Sequence, residues 1–158
     1  MMMTKQAQSG FTIVELVATI ILIGILAAYA VPKFTGAGGD YDSYAARSEA
    51  IVKLRAIQLR AMQDTSQPQR CVLVTSNRLG MVNDCNDTAF SSNFNVGSTR
   101  MELNGTARFQ VPANPGYIQL QFNRLGQPQG CSNPCRVNIS GTPNLIIDIN
   151  VEGNISAP

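Results

Sequence analysis

The 158-residue sequence predicts an α+β protein in which a long N-terminal helix packs with its C-terminal half on an antiparallel β-sheet. Three observations predict this class. A largely apolar stretch of 21 residues runs from Phe11 to Val31, and a helical pattern resumes at about Ser43. Beyond Cys71 the sequence consists of short β segments separated by turn residues, with no second long helical pattern after them.

The apolar stretch has the length of a membrane-spanning helix, because 21 residues rise about 31 Å. It exceeds the run of about 7–15 apolar residues usual in a secretory signal peptide, and no small-residue cleavage site closes it. Glu15 is its single charge. A simple membrane anchor leaves this acid unexplained, because a carboxylate at membrane depth costs about 2.5–3.5 kcal/mol. Glu15 is therefore a candidate functional residue.

Two residues weaken the same helix. Gly24 lies in its middle and costs about 1 kcal/mol relative to alanine. Pro32 removes an intrahelical hydrogen bond, so it either kinks the helix or ends the span. The following TGAGGD, residues 35–40, predicts a flexible breaker.

The second helical pattern covers about residues 43–64, with Asp42 or Ser43 as the N-cap. Residues at helical spacing are expected to face the core: Ile51, Leu54, Ile57 or Gln58, and Ala61 or Met62. Lys53 and Arg60, seven residues apart, are expected on the opposite, solvated face.

Seven β segments follow: residues 71–76, 79–82, 99–103, 107–111, 117–122, 136–140 and 145–151. Asn104-Gly105 joins the third and fourth, and this dipeptide predicts a β-hairpin. We find no internal repeat in the sequence.

The amino-acid composition excludes several classes of catalytic and metal site. The sequence contains no histidine, which excludes Ser-His-Asp triads, Cys-His dyads and histidine zinc sites within this chain. The net charge of +2 implies no general attraction to nucleic acid or anionic lipid. Asp84 and Asp87 belong to no recognised catalytic motif. We expect neither an enzyme nor a cofactor or metal site.

The segment GFTIVEL, from Gly10 to Leu16, resembles the prepilin motif of type IV pilins and type II secretion pseudopilins. The resemblance implies that a prepilin peptidase cuts between Gly10 and Phe11 and N-methylates Phe11. It implies a leader of residues 1–10, a transmembrane and filament-core helix of 11–34, and a globular domain of 35–158. Glu15 would pair with the Phe11 amine of a neighbouring subunit and set the axial register. The stretch from Gly24 to Pro32 would unwind on assembly.

Export would place the domain in an oxidising compartment, which favours disulfides. The four cysteines allow three pairings, of which we expect Cys71–Cys85 and Cys131–Cys135. A four-cysteine zinc site is disfavoured, because only Cys131 and Cys135 are as closely spaced as such ligands usually are.

Later segments are similar to a subgroup of this family. Ile118 to Pro128 resembles the F-x-x-x-G-x-P signature of the GspH/FimT group, and Leu145 to Ile155 is similar to that group's last strand and glycine turn. Tyr41 to Met62 and the following strand at Cys71 resemble MshC-type minor pilins of mannose-sensitive haemagglutinin (MSHA) pili. The Gly-Arg-x-Arg motif of DNA-binding relatives is Gly153-Asn-Ile-Ser156 here, without either arginine, so nucleic acid is not an expected partner.

The resemblance implies a minor type IV pilin, incorporated at low copy to initiate or cap a fibre, in MSHA-type pilus biogenesis and surface adhesion. The alternatives are a GspH-like minor pseudopilin of a type II secretion system and a FimT-like DNA-uptake pilin. Implied partners are the prepilin peptidase, other major and minor pilins, the inner-membrane assembly platform and the inner membrane. The domain would be periplasmic on a single-pass anchor, and later part of a pilus on the cell surface.

Overall fold

A computed structural model describes residues 11–36, 38–66 and 69–158, and these residues form two helices and nine strands. The helices are α1 (Ile13–Gly36) and α2 (Gly38–Gln63). The strands are β1 (Gln69–Val74), β2 (Arg78–Val82), β3 (Arg100–Glu102), β4 (Arg108–Gln110), β5 (Ile118–Asn123), β6 (Pro128–Gln129), β7 (Cys135–Ser140), β8 (Leu145–Ile149) and β9 (Ile155–Ser156). The chain divides into two compact units, Met1–Gly38 and Gly39–Pro158.

Helix α1 continues through Gly24 and Pro32, so Pro32 does not end it. The expected breaker at residues 35–40 is also wrong where the structure describes it, because Gly36 is the last residue of α1 and Gly38 the first of α2. Ala37 lies outside the described residues. Each glycine costs a helix only about 1 kcal/mol, a weak preference that the rest of a structure readily overrides.

The N-cap expected at Asp42 or Ser43 is wrong, because both residues lie inside α2. Their side chains make contacts distant in sequence instead. The Asp42 Oδ2 atom accepts hydrogen bonds from the Thr106 backbone N (3.0 Å) and Oγ1 (3.2 Å). Ser43 is fully buried, and a Cβ atom added at Gly141 would overlap its Oγ atom.

The buried face of α2 follows the expected helical period. It consists of Ala46, Ala50, Leu54, Ile57 and Ala61. Ile51 packs against this core from its edge, whereas Met62 stays 45% exposed. The apolar spacing of the sequence therefore places α2 correctly against the sheets.

The strands form two antiparallel sheets, and the predicted α+β class is confirmed. Sheet A has the order β3-β2-β1-β5-β6, and sheet B has the order β4-β7-β8-β9. One apolar core contains the buried face of α2 and residues of both sheets, among them Phe122 in sheet A and Ile147 in sheet B. The strands β6 and β9, of two residues each, are additional to the seven segments expected.

The hairpin expected at Asn104-Gly105 is wrong. β3 pairs with β2 in sheet A, whereas β4 pairs with β7 in sheet B, so the segment between them crosses from one sheet to the other. Asp42 holds this crossing through Thr106. The β1–β2 turn holds its two ends, because the Leu103 and Phe109 backbone N atoms each donate to a carbonyl of that turn at 2.8 Å. These contacts distant in sequence override the local preference of Asn-Gly.

The segment between β2 and β3 covers the outer face of sheet A. Residues 83–99 form a long loop without a regular strand or helix, and Phe90 packs against a second, small apolar cluster. That cluster contains Cys71, Leu73 and Val82 of sheet A, with Tyr117 at its side. Sheet A is therefore covered by α2 on one face and by this loop on the other.

The structure contains the disulfides Cys71–Cys85 and Cys131–Cys135, the two pairs expected from the sequence. Their Cα–Cα distances are 5.2 Å and 5.4 Å, within the usual range. Cys71–Cys85 fixes the start of the 83–99 loop to β1, and Cys131–Cys135 closes the connection before β7.

Removing Cys71–Cys85 should destabilise the domain more than removing Cys131–Cys135. In the chain-entropy model, removal of the disulfide that closes the longer loop lowers the free energy of unfolding of the domain by about 3 kcal/mol. Removal of the disulfide that closes the shorter loop lowers it by about 2 kcal/mol. The double variants Cys71→Ala/Cys85→Ala and Cys131→Ala/Cys135→Ala are compared by chemical denaturation. Limited chymotrypsin digestion should cut near Phe90 and Phe94 only in the first variant, because only that variant releases the loop.

Candidate functional site

The candidate site lies at the start of α1, where the structure places Phe11 just outside the helix. Phe11 is 81% exposed, and α1 begins two residues later at Ile13. Gly10 and the rest of the expected leader lie outside the described residues.

Thr12 is the N-cap of α1. Its Oγ1 atom accepts a hydrogen bond from the Glu15 backbone N at 3.2 Å, and its carbonyl oxygen accepts from the Glu15 and Leu16 backbone N atoms, both at 3.1 Å. This capping role is not among those expected from the sequence. The signal was present, because Thr12-x-x-Glu15 matches the capping-box pattern of a helix start.

Glu15 is the third residue of α1 and the acid of its first turn. Unpaired backbone N–H groups and the helix dipole favour a carboxylate at this end. The Glu15 side chain is exposed, and within the described part of the chain it forms no ion pair. It is therefore available to a cation supplied from outside the described residues.

The surface of α1 around and after Glu15 is apolar on all sides of the helix. Ile13–Ala30 has a mean hydropathy of 2.4, long and apolar enough to cross a membrane, and none of this segment is buried. Gly24 faces open space, because a Cβ atom added there would have no atom within 4 Å. The Thr19 hydroxyl donates to the Leu16 carbonyl at 2.8 Å, which satisfies it without a partner chain.

The solvated basic face expected on α2 is wrong for Lys53, whose side chain is only 16% exposed, but Arg60 is exposed as expected. The Lys53 Nζ atom donates to the Gly97 carbonyl oxygen at 2.7 Å, and the Arg60 side chain donates to the Ser98 Oγ atom at 2.9 Å. Lys53 also lies 3.6 Å from a Glu49 carboxylate oxygen. The end of the 83–99 loop crosses this face, which helical spacing alone does not reveal.

Other charged groups form internal contacts. Arg78 pairs with Glu102 at 2.8 Å, and Arg136 pairs with Asp148 at 2.9 Å. Arg108 donates to the carbonyls of two residues beside its own strand. These contacts hold the arginines in separate places on the sheets.

The loop acids Asp84 and Asp87 shape a turn. The Asp84 Oδ1 atom accepts from the Asn86 backbone N at 2.9 Å, and Asp87 Oδ2 accepts from the Asp84 backbone N at 3.2 Å. Within residues 11–36, 38–66 and 69–158, no group of three or more Asp, Glu or Cys side chains is arranged to hold a metal ion.

The candidate site lies in a segment that matches a known family model. A family model described as the prokaryotic N-terminal methylation motif matches residues 5–31. That range contains the GFTIVEL segment, the capping residue Thr12 and most of the apolar surface of α1.

Similar proteins include fimbrial and secretion subunits. A fimbrial protein of Pseudomonas aeruginosa is 28% identical over 126 residues, which are 79% of this chain and 73% of that protein. The type II secretion system core protein G of Aeromonas hydrophila is 32% identical over 66 residues, 42% of this chain and 46% of that protein. The fimbrial protein EcpC of Eikenella corrodens is 49% identical over 47 residues, 30% of this chain and 26% of that protein.

Among solved structures, the type IV minor pilin FimU of Pseudomonas aeruginosa aligns with a TM-score of 0.47 and 12% identity, covering 75% of this chain and 90% of that one.

Thr12→Val should fray the start of α1, because valine has nearly the shape of threonine but no hydroxyl to accept the Glu15 N–H. The loss of a cap of this kind costs about 1 kcal/mol, or roughly fivefold faster amide exchange. Hydrogen exchange of the Glu15 amide in detergent micelles measures this. Thr12→Ser keeps the hydroxyl and should exchange like the wild type; equal rates in all three proteins would contradict the capping role.

Proposed function

We propose that this chain, a type IV pilin or pseudopilin, acts as a minor pilin that enters a pilus at low copy and helps to initiate or cap the fibre. One observation carries the proposal: an apolar helix, exposed from Ile13 to Ala30, bears a single acid at its third residue, in the first turn. A helix of this kind is suited to storage in a membrane and then to burial among other helices.

Processing is the first proposed step. Hydrolysis of the Gly10–Phe11 amide by a prepilin peptidase releases the leader with a new carboxylate and leaves an α-amine on Phe11. This amine then accepts a methyl group from a sulfonium methyl donor and releases a proton, while the donor leaves as a thioether. Phe11 is exposed and non-helical, so the backbone on the described side of this bond is accessible. The new amine is a cation of the kind that Glu15 lacks within the described residues.

Assembly is the second step. As the helix leaves the inner membrane, Glu15 would pair with the Phe11 amine of a neighbouring subunit. In a low-dielectric filament core, desolvation offsets much of the attraction between two charges. The pair therefore acts mainly through its absence at other axial positions of the subunit, where either charge would be buried without its partner. This energetic cost sets the axial register. Unwinding between Gly24 and Pro32 would adjust the helix to that position.

The proposed partners follow from these steps. They are the prepilin peptidase, other major and minor pilins and the inner-membrane assembly platform, with the domain in the periplasm before assembly and at the cell surface afterwards. We assign the pilus to the MSHA type, with a role in surface adhesion, on the similarity of Tyr41 to Met62 to MshC-type minor pilins. We propose a structural rather than an enzymatic role, since the chain has no histidine and Asp84 and Asp87 serve a turn.

A second candidate is a GspH-like minor pseudopilin of a type II secretion system. The similarity to the secretion core protein G of Aeromonas hydrophila favours it. Both assignments use the same leader and apolar helix. DNA uptake has less support, because Gly153 to Ser156 lacks both arginines of the DNA-binding motif.

Mass spectrometry of the exported protein should show a chain that begins with N-methylated Phe11. Deletion of the peptidase should leave residues 1–10 attached. Another start site, or an intact leader in assembled protein, would contradict the proposed processing.

Glu15→Ala should leave cleavage intact but prevent entry into fibres, because the neighbour's amine would be buried without a counter-charge. Glu15→Gln tests the charge at nearly unchanged shape and should fail in the same way. Immunoblots measure the amount of each variant in sheared fibres and in membranes. Normal incorporation of either variant would exclude the pairing mechanism.

Co-purification of the mature protein with co-expressed subunits should recover pilins of a pilus. Recovery of secretion-system components alone would exclude the pilus assignment in favour of the pseudopilin.

A further inference from the structure

Each sheet ends in a copy of the same strand–turn–strand unit. The first copy is residues 118–129, IQLQFNRLGQPQ, in sheet A, and the second is residues 145–156, LIIDINVEGNIS, in sheet B. The two segments have the same length and share apolar residues at the first, third and fifth positions. They are identical only at the sixth position, an asparagine, and the ninth, a glycine.

The pairing within the two copies is also the same. In the first, Phe122 pairs with Pro128 and Gln121 with Gln129. In the second, Ile149 pairs with Ile155 and Asp148 with Ser156, the equivalent positions of the segment. The sequence shows no internal repeat because the two segments share so few residues; their equivalence lies in the strand pairing.

The asparagine organises each turn in the same way. Asn123 Oδ1 accepts from the backbone N atoms of Leu125 and Gln127, both at 2.9 Å. In the second copy, Asn150 Oδ1 accepts from the equivalent N atoms of Glu152 (3.1 Å) and Asn154 (2.8 Å).

The glycines occupy the positions that need a positive φ. The angle is 77° at Gly126 and 90° at Gly153. In each turn the glycine N–H donates to the carbonyl of the turn's asparagine at 2.9 Å. Other residue types rarely adopt this backbone conformation.

One side chain of α2 joins the two turns. The Nε2 atom of Gln58 donates to the Gly126 carbonyl oxygen at 2.7 Å and to the Gly153 carbonyl oxygen at 2.6 Å. A primary amide carries two N–H bonds on this nitrogen, so one group can serve both carbonyls. Gln58 is partly buried, and both glycines are buried.

The two turns also touch each other. A Cβ atom added at Gly153 would overlap the Gly126 carbonyl oxygen and the Gln58 amide. The absence of a side chain at this position therefore allows the turns to approach closely enough to share one donor.

We propose that Gln58 is a clamp that couples the two repeated turns, so that they open together. The two turns supply equivalent carbonyls, one from each sheet, and α2 supplies the donor between them. A displacement of either turn breaks a hydrogen bond at Gln58 and weakens the position of the other. This coupling is a property of the domain alone and does not depend on the proposed role in a pilus.

Gln58→Met tests the clamp in the full-length protein in detergent micelles, because methionine has a similar length but no N–H group. Amide exchange is followed by NMR at Gly126 and Gln127 in one turn and at Gly153 and Asn154 in the other. We expect amide exchange to be roughly fivefold to tenfold faster in both turns, because each turn loses one buried hydrogen bond. Gln110→Met, at an exposed residue of β4, should leave both turns unchanged.

Asn123→Ala provides a second measurement on protein that keeps Gln58. It weakens the first turn directly and should also accelerate exchange at Gly153 and Asn154 through the clamp. In the Gln58→Met background this remote effect should vanish. Faster exchange in one turn only after Gln58→Met, or no remote effect of Asn123→Ala, would overturn the coupling.

Discussion

The apolar surface of α1 is the constraint on which the rest of this molecule depends. All side chains from Phe11 to Ala30 are exposed, and exposed apolar area costs roughly 25 cal/mol per Å² relative to burial. A lipid bilayer and a bundle of similar helices are both able to cover such a surface. Glu15 makes the two environments unequal, because lipid offers its charge no partner, whereas under the proposed function the amine of a sister subunit would.

The local patterns of the sequence predict much of the fold. The apolar run of α1, the buried face of α2 and the main strands follow from hydrophobic spacing, which depends on neighbouring residues only. The predictions fail where contacts between residues distant in sequence determine the local structure. Asp42 binds Thr106 instead of capping a helix, and the Asn104-Gly105 segment crosses between sheets instead of forming a hairpin. Neither outcome is visible in a short window of sequence.

The candidate site shows the same division. Phe11 and Glu15 belong to one short motif, so the sequence alone predicts them as candidates, and the capping pattern of Thr12 is equally local. Lys53 was misplaced because the distant 83–99 loop returns to its helix face. The repeated turns escaped notice because the two copies share only an asparagine and a glycine, and their equivalence lies in backbone geometry.

The lengths of the edge strands have a consequence for contacts between two copies of this chain. The outer strands of the two sheets, β3, β6, β4 and β9, are only two or three residues long. Short edges offer few free backbone groups to a neighbouring chain, so strand addition between copies gains little. The short edges thereby disfavour β-aggregation by edge-to-edge pairing.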